Sequence, residues 1–221
     1  MKLIFKYILP LFGLLIIASA CQQESLSVID EQEEDVLEDA ALIGLVQGIT
    51  AHDGSHDNVV DNSSCFSIDF PYQLKVNGEI RNIEHVADLA TVYEYDEIEI
   101  VYPVEVTFAD YAESQISNTQ EMNALISGCS NGNYYNQIIR CIDLIYPISM
   151  AEYNPDTRNF QTTVYDHDRI TFTGLRRMLT AGSIVQIQFP VQIEVIGGET
   201  LQIDSNDQLK SVISSNLNFC F

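Results

Sequence analysis

Ile184-Val185-Gln186-Ile187-Gln188-Phe189-Pro190-Val191-Gln192-Ile193-Glu194-Val195 decides how this chain is read. Apolar residues occupy 185, 187, 189, 191, 193 and 195, and Gln186, Gln188, Pro190, Gln192 and Glu194 lie between them. Strict period-2 alternation marks a strand with one buried and one solvated face. Working outward, the same pattern recurs around three more aromatic-proline dyads, Phe70-Pro71, Tyr102-Pro103 and Tyr146-Pro147. The first copy points Phe66, Ile68, Phe70, Tyr72, Leu74 and Val76 inward; the second, Ile98, Ile100, Tyr102, Val104, Val106 and Phe108; the third, Ile142, Leu144, Tyr146, Ile148 and Met150. A slip of one residue would turn each apolar row to water, so the register is well specified. Proline cannot donate to a strand ladder, and its place is an edge, a bulge or a strand start. Four equivalent prolines therefore predict four equivalent bends.

Each copy continues into a turn, a second strand and a short helix. Asn77-Gly78 is a strong type I′ hairpin signal, Gly197-Gly198 serves the fourth copy, and Asn154-Pro155-Asp156 serves the third. The second and fourth copies keep a constant offset of 87 residues, which maps Pro103 to Pro190 and Ile116 to Ile203. The offset also maps Asn118 to Ser205 and Glu121 to Gln208, and both pairs read as capping boxes opening a helix. Met122, Leu125 and Ile126, like Leu209, Val212 and Ile213, form i, i+3, i+4 apolar stripes suited to covering a sheet. Asp168 is the expected cap of a third helix, with Leu175, Met178 and Leu179 on its buried side. The expected fold is α+β: antiparallel β-hairpins with short helices packed on the sheet, in two pseudo-repeated halves made of four ββα-like units. The halves run 64–133 and 134–221, joined near Ser130-Asn131-Gly132-Asn133.

The chain opens with a targeting pattern. Residues 1–20 hold Lys2 and Lys6, then an apolar run from Ile8 to Ala18, the layout of a signal peptide. Ala18-Ser19-Ala20-Cys21 places small residues before a cysteine and looks like a bacterial lipobox, with Cys21 lipidated; the alternative is an ordinary signal peptide cut near Ala20. Residues 21–63 are then a tether, short helix and linker. Gln22–Asp39 carries eight acidic residues and no lysine or arginine, which reads as a solvated stretch. A short helix is expected from about Glu33 to Gln47, either docked on the domain or ending the tether.

The 221 residues carry a formal charge of −22, which excludes nucleic acid as a partner and excludes electrostatic adhesion to an anionic bilayer. Attachment to a membrane would then rest on the N-terminal lipid. Ala51–Ser64 reads as a polar linker. His52, Asp53, His56 and Asp57 within it could ligate a metal, but Gly54 argues against the helix that would align them, so no metal site is expected. Asp166-His167-Asp168 invites a catalytic reading, yet no nucleophile elbow, zinc motif, phosphate loop or dinucleotide fingerprint accompanies it. No cofactor is expected.

Cys65 and Cys141 each precede an aromatic-proline dyad by the same interval, and Cys129 and Cys220 each close a helix. Without C-x-x-C spacing, four such cysteines in an exported chain predict two disulfides. Pseudo-symmetry favours Cys65–Cys129 with Cys141–Cys220; Cys65–Cys141 with Cys129–Cys220 would instead join the halves. The succession of Cys, alternating strand through aromatic-Pro, turn, second strand, capped helix and closing Cys resembles uncharacterised repeat-bearing lipoproteins of Bacteroidetes-type bacteria. The residues that carry it are Cys65 to Pro71, Cys141 to Pro147 and the two capped helices. That resemblance implies no activity and no site residues. The expected function is a non-enzymatic cell-envelope lipoprotein at the outer membrane, on its periplasmic or surface face, acting as a structural or binding module for a protein or glycan. The rival is an exported hydrolase acting on glycan or peptide.

Overall fold

The computed structural model describes residues 36–220. The signal segment, Cys21 and most of the acidic tether lie outside them. Leu37–Phe221 forms one compact unit. Its architecture is α+β: four three-stranded antiparallel sheets, with short helices packed against them.

Helix α1 (Ala40–Ile49) starts where Asp39 accepts a hydrogen bond from the Ala41 amide. A 3₁₀ turn (Ser55–Asp57) and the single-turn α2 (Asn58–Asp61) follow. The first half then runs β1 (Phe66–Ile68), β2 (Tyr72–Val76), β3 (Glu79–Ile83), a 3₁₀ helix (Val86–Thr91), β4 (Ile98–Val101), β5 (Val104–Phe108), β6 (Glu113–Ile116) and α3 (Thr119–Ser130). The second runs β7 (Ile142–Ile145), β8 (Ile148–Asn154), β9 (Asn159–Tyr165), α4 (Asp168–Thr180), β10 (Val185–Ile187), β11 (Val191–Val195), β12 (Glu199–Ile203) and α5 (Asn206–Asn216). The first copy thus closes on a 3₁₀ helix where the other three close on α-helices.

Each aromatic-proline dyad interrupts its strand instead of lying within it, which corrects the expectation of four continuous alternating strands. All four peptide bonds into these prolines are cis. Proline has no N–H to give a ladder, so pairing stops there and restarts on another sheet. The strand after each proline becomes the middle of a sheet: β2, β5, β8 and β11. The strand before it crosses to a sheet centred on the neighbouring copy. So β1 pairs with β5, setting Phe66 against Phe108 and Ile68 against Val106, while β4 pairs with β2, setting Ile98 against Val76. The second half repeats the arrangement, with β7 on β11 (Ile142 against Val195) and β10 on β8 (Ile187 against Met150). Phe70, Tyr102, Tyr146 and Phe189 consequently sit half-buried beside the cores.

Two apolar clusters result. One gathers Phe66, Ile68, Leu74, Val106, Met122 and Leu125 of the first half. The other gathers Ile142, Met150, Leu175, Ile193, Leu209 and Ile213 of the second. Leu42, Val46 and Ile49 of α1 belong to the second cluster, so this helix docks on the half furthest from it in sequence. The chain must then travel from the second core to the first, and Thr50–Ser64 makes that passage. Each half is closed by its own bridge, Cys65 to Cys129 and Cys141 to Cys220, with Cα separations of 6.1 and 4.9 Å.

Candidate functional site

The passage between the cores corrects a second expectation. Ala51–Ser64 is polar in composition, but it is ordered and partly buried. The His52 amide donates to the Ala109 carbonyl at 2.9 Å. Asp57 is 0% exposed, and its Oδ2 accepts the Ile68 amide at 2.7 Å. Asp61 is 3% exposed, and its Oδ1 accepts the Ser63 amide at 3.0 Å. Backbone N–H groups are thus met by short acidic side chains, which lets a polar segment lie inside. Among the described residues, four buried side-chain atoms of this corner have no hydrogen-bond partner: His56 Nε2, Asp57 Oδ1, Asp61 Oδ2 and Tyr72 OH. Burial, with Asp57 beside it, pushes the Asp61 carboxyl up to about 8. Burial pushes Asp57 up to about 6 against the pull of the Ile68 amide. The Tyr72 phenol is raised by burial and by both carboxyls.

A serine-histidine pair adjoins this corner. His52 Nε2 lies 2.7 Å from Ser67 Oγ, a distance fit for a nucleophile and its base. Burial and neighbouring His56 hold the His52 imidazolium below the ordinary histidine value, so the ring is neutral near pH 7. Ser67, however, is 2% exposed on β1, where no substrate carbonyl reaches it. Asp53, the next residue, is spent on structure: it accepts the Ser55 amide and hydroxyl, each at 2.9 Å, and pairs with Arg140 Nε at 2.7 Å. Of the four residues the sequence offered as metal ligands, His52 meets Ser67, Asp53 and Asp57 accept backbone amides, and His56 Nδ1 lies 3.3 Å from the Asp53 carbonyl oxygen. Among the described residues, no group of three or more His, Cys, Asp or Glu side chains is placed to hold a metal.

An open cleft lies in the second half. It encloses about 430 Å³ against the Cys141–Cys220 bridge, with Arg140, Asp143, Glu194, Gly197, Gly198 and Phe219 on its walls. Asp143 and Glu194 face each other across β7 and β11. Directly opposed residues of antiparallel strands hold their Cβ atoms about 5 Å apart, and like charges there repel. The matching register of the first half, β1 on β5, sets Ser67 against Thr107. Where the first half faces two hydroxyls, the second half faces two carboxylates. Partial desolvation, followed by the charges of Asp168, Glu194 and Asp53, raises the Asp143 carboxyl above its usual range. Nothing in the local sequence marks this pair, because both residues occupy ordinary outward positions of alternating strands; only the pairing of β7 with β11 brings them together.

Asp168 does not cap α4, contrary to the expectation. His167 Nδ1 accepts the Ile170 amide at 3.4 Å and is the cap. Asp168 instead accepts the Tyr146 hydroxyl at 2.5 Å, tying a dyad aromatic to the start of the helix. Comparison with protein-family models, curated proteins and solved structures finds no match for this chain.

Proposed function

We propose that this protein is an exported, lipid-anchored module of the cell envelope, structural or ligand-binding in role and without catalytic activity. The observation that carries the reading is the pair of disulfides, one closing each half. Such bridges form and persist in oxidising compartments beyond the cytoplasm. The leader, the small residues before Cys21 and the acidic stretch after it supply a route and a tether. The strongly negative chain is repelled by anionic headgroups, so attachment falls to the acyl chains on Cys21. The burial of Ser67 supports a non-catalytic role, since its pairing with His52 fixes β1 and meets no substrate. In cells fed a radiolabelled fatty acid, the wild-type chain is expected to carry label and to sediment with membranes. Cys21→Ser is expected to lose both properties, and persistent labelling of the variant would refute the anchor.

A second reading, a hydrolase acting on glycan, has one specific observation behind it. Asp143 and Glu194 stand opposite each other in an open cleft, as the two carboxyl groups of a glycosidase flank its substrate, and partial burial with neighbouring carboxylates raises the Asp143 acid value in the direction a general acid needs. If that reading holds, purified protein cleaves a chromogenic glycoside panel, and Asp143→Asn or Glu194→Gln lowers the rate at least a hundredfold. On the non-catalytic reading, no cleavage rises above the level shared by both variants.

A further inference from the structure

The corner formed by Asp57, Asp61 and Tyr72 presents an unsolved problem of charge. Two carboxyl groups are almost wholly buried. Each gives one oxygen to a backbone amide, and the other oxygen has no partner among the described residues. The titratable neighbours acting on Asp57 are His56 on its own turn and Asp69 just after β1, and Asp57 in turn acts on Asp61 from one helical turn away. From β2, Tyr72 adds a buried hydroxyl. The 3₁₀ helix Val86–Thr91 also packs on this turn, but its titratable groups are satisfied locally: His85 and Asp88 pair at 2.6 Å. Two buried carboxylates with only the His56 imidazole beside them are costly to ionise together, and the inexpensive remedy is to keep a proton.

We infer that Asp57 and Asp61 act as a proton latch, holding Ser55–Ser63 against β1 and β2 while at least one of them is protonated and loosening it when both ionise. The geometry makes the consequence local. Asp57 grips the Ile68 amide and Asp61 grips the Ser63 amide, so loss of the latch frees the passage that joins the two cores before it disturbs either core. The proton leaves to solvent, and what remains is a pair of like charges on two almost wholly buried carboxylates. A device of this kind makes the tie between the halves weaken in alkaline surroundings. It does not depend on whether the module binds, scaffolds or catalyses.

The sign follows from the raised acid values. The folded chain holds protons that the unfolded chain has already released, so stability falls as pH rises from the ordinary carboxyl range to the folded values of about 6 and about 8. Above the higher value the loss is complete and the slope flattens.

The test is urea unfolding of the full mature chain with both disulfides intact, over pH 5 to 9. With one proton involved, the folding constant of the wild type is expected to fall about tenfold per pH unit between the two carboxyl values. Asp61→Asn, which keeps the shape and removes the charge, is expected to flatten that slope and to exceed the wild type in stability at pH 9. Amide-exchange protection at Ile68 and Ser63 should decline with pH while that at Ile193 in the other core holds. Retention of the full slope in Asp61→Asn overturns the latch. So does an equal loss of protection in both cores. A rise in melting temperature with millimolar calcium, absent in Asp61→Asn, would overturn it in favour of a cation at the same corner. Should Asp61→Asn fail to fold, carbon-13 titration of the wild-type carboxyls decides: ordinary aspartate values at both positions overturn the proposal.

Discussion

Gly54 shows how a single residue sets the path between the cores. Its backbone passes so close to β1 that a Cβ built there would lie 2.1 Å from the Phe66 carbonyl oxygen. The contact is with main chain, which cannot swing aside as a side chain does. Gly54→Ala is therefore expected to destabilise the protein by about 1–3 kcal/mol, the usual cost of overpacking, as read by urea unfolding. A variant as stable as the wild type would show that the passage is not held against β1. Asp168 teaches a different lesson at the same scale. Aspartate is a favoured cap, so the sequence Asp166-His167-Asp168 points to it. The backbone turns helical one residue earlier than that reading requires, which leaves His167 in the cap position and Asp168 free to receive Tyr146. The caps at Asn118 and Ser205 were legible because each is followed by a side chain that reaches back. Glu121 accepts the Ser117 amide at 2.8 Å, and Gln208 accepts the Asp204 amide at 2.8 Å.

Among the elements, alternation was readable and partnership was not. Burial along β11 runs buried, exposed, buried, exposed, buried, as the apolar positions at 191, 193 and 195 require. The hairpin turn at Asn77-Gly78 has positive φ at both residues, 52° and 86°, in keeping with the type I′ signal. But period-2 alternation continues across Phe189-Pro190 in the sequence, while the ladder stops there. Side-chain pattern reports which face a residue takes; it carries no information on which strand answers its backbone. The proline was the available clue, since a missing N–H prevents one ladder from running through. The Ala51–Ser64 passage was misread for a related reason. Composition counts its aspartates as solvent-seeking, whereas in the fold Asp57 and Asp61 serve as acceptors for amides that would otherwise be orphaned.

Across the whole molecule, two separately stapled cores are joined by polar ties. Arg140 pairs with Asp53, Arg176 with Asp110 at 2.6 Å, and Arg169 with Glu113, while Arg169 also lies over the Tyr111 ring. The Tyr111 hydroxyl donates to the Thr50 carbonyl at 3.0 Å, and its ring meets buried Phe172 from the other half. Such exposed ion pairs each contribute at most about 1 kcal/mol, so the cores and their bridges dominate stability. The cysteines of the two bridges lie 64 and 79 residues apart in sequence. For loops of that length the chain-entropy account assigns each bridge about 4 kcal/mol. Reduction is expected to lower the urea midpoint substantially, and Cys65→Ala/Cys129→Ala is expected to release the first half while the second still melts cooperatively. Equal midpoints for oxidised and reduced protein would show that the bridges close loops already held shut.

The sequence by itself determined the mixed α+β character, the turns, two of the caps, a bend at each of the four prolines and the sites of the cysteines. These follow from local rules: which dihedrals a residue allows, which backbone groups it can satisfy and which face its neighbours make apolar. Only the tertiary structure decided that strands cross between copies, that α1 docks on the distant core, that Asp143 meets Glu194 and that two aspartates are enclosed beneath β1. Those outcomes depend on which surfaces exclude water together, a property of residues far apart in the chain and so absent from any window of it.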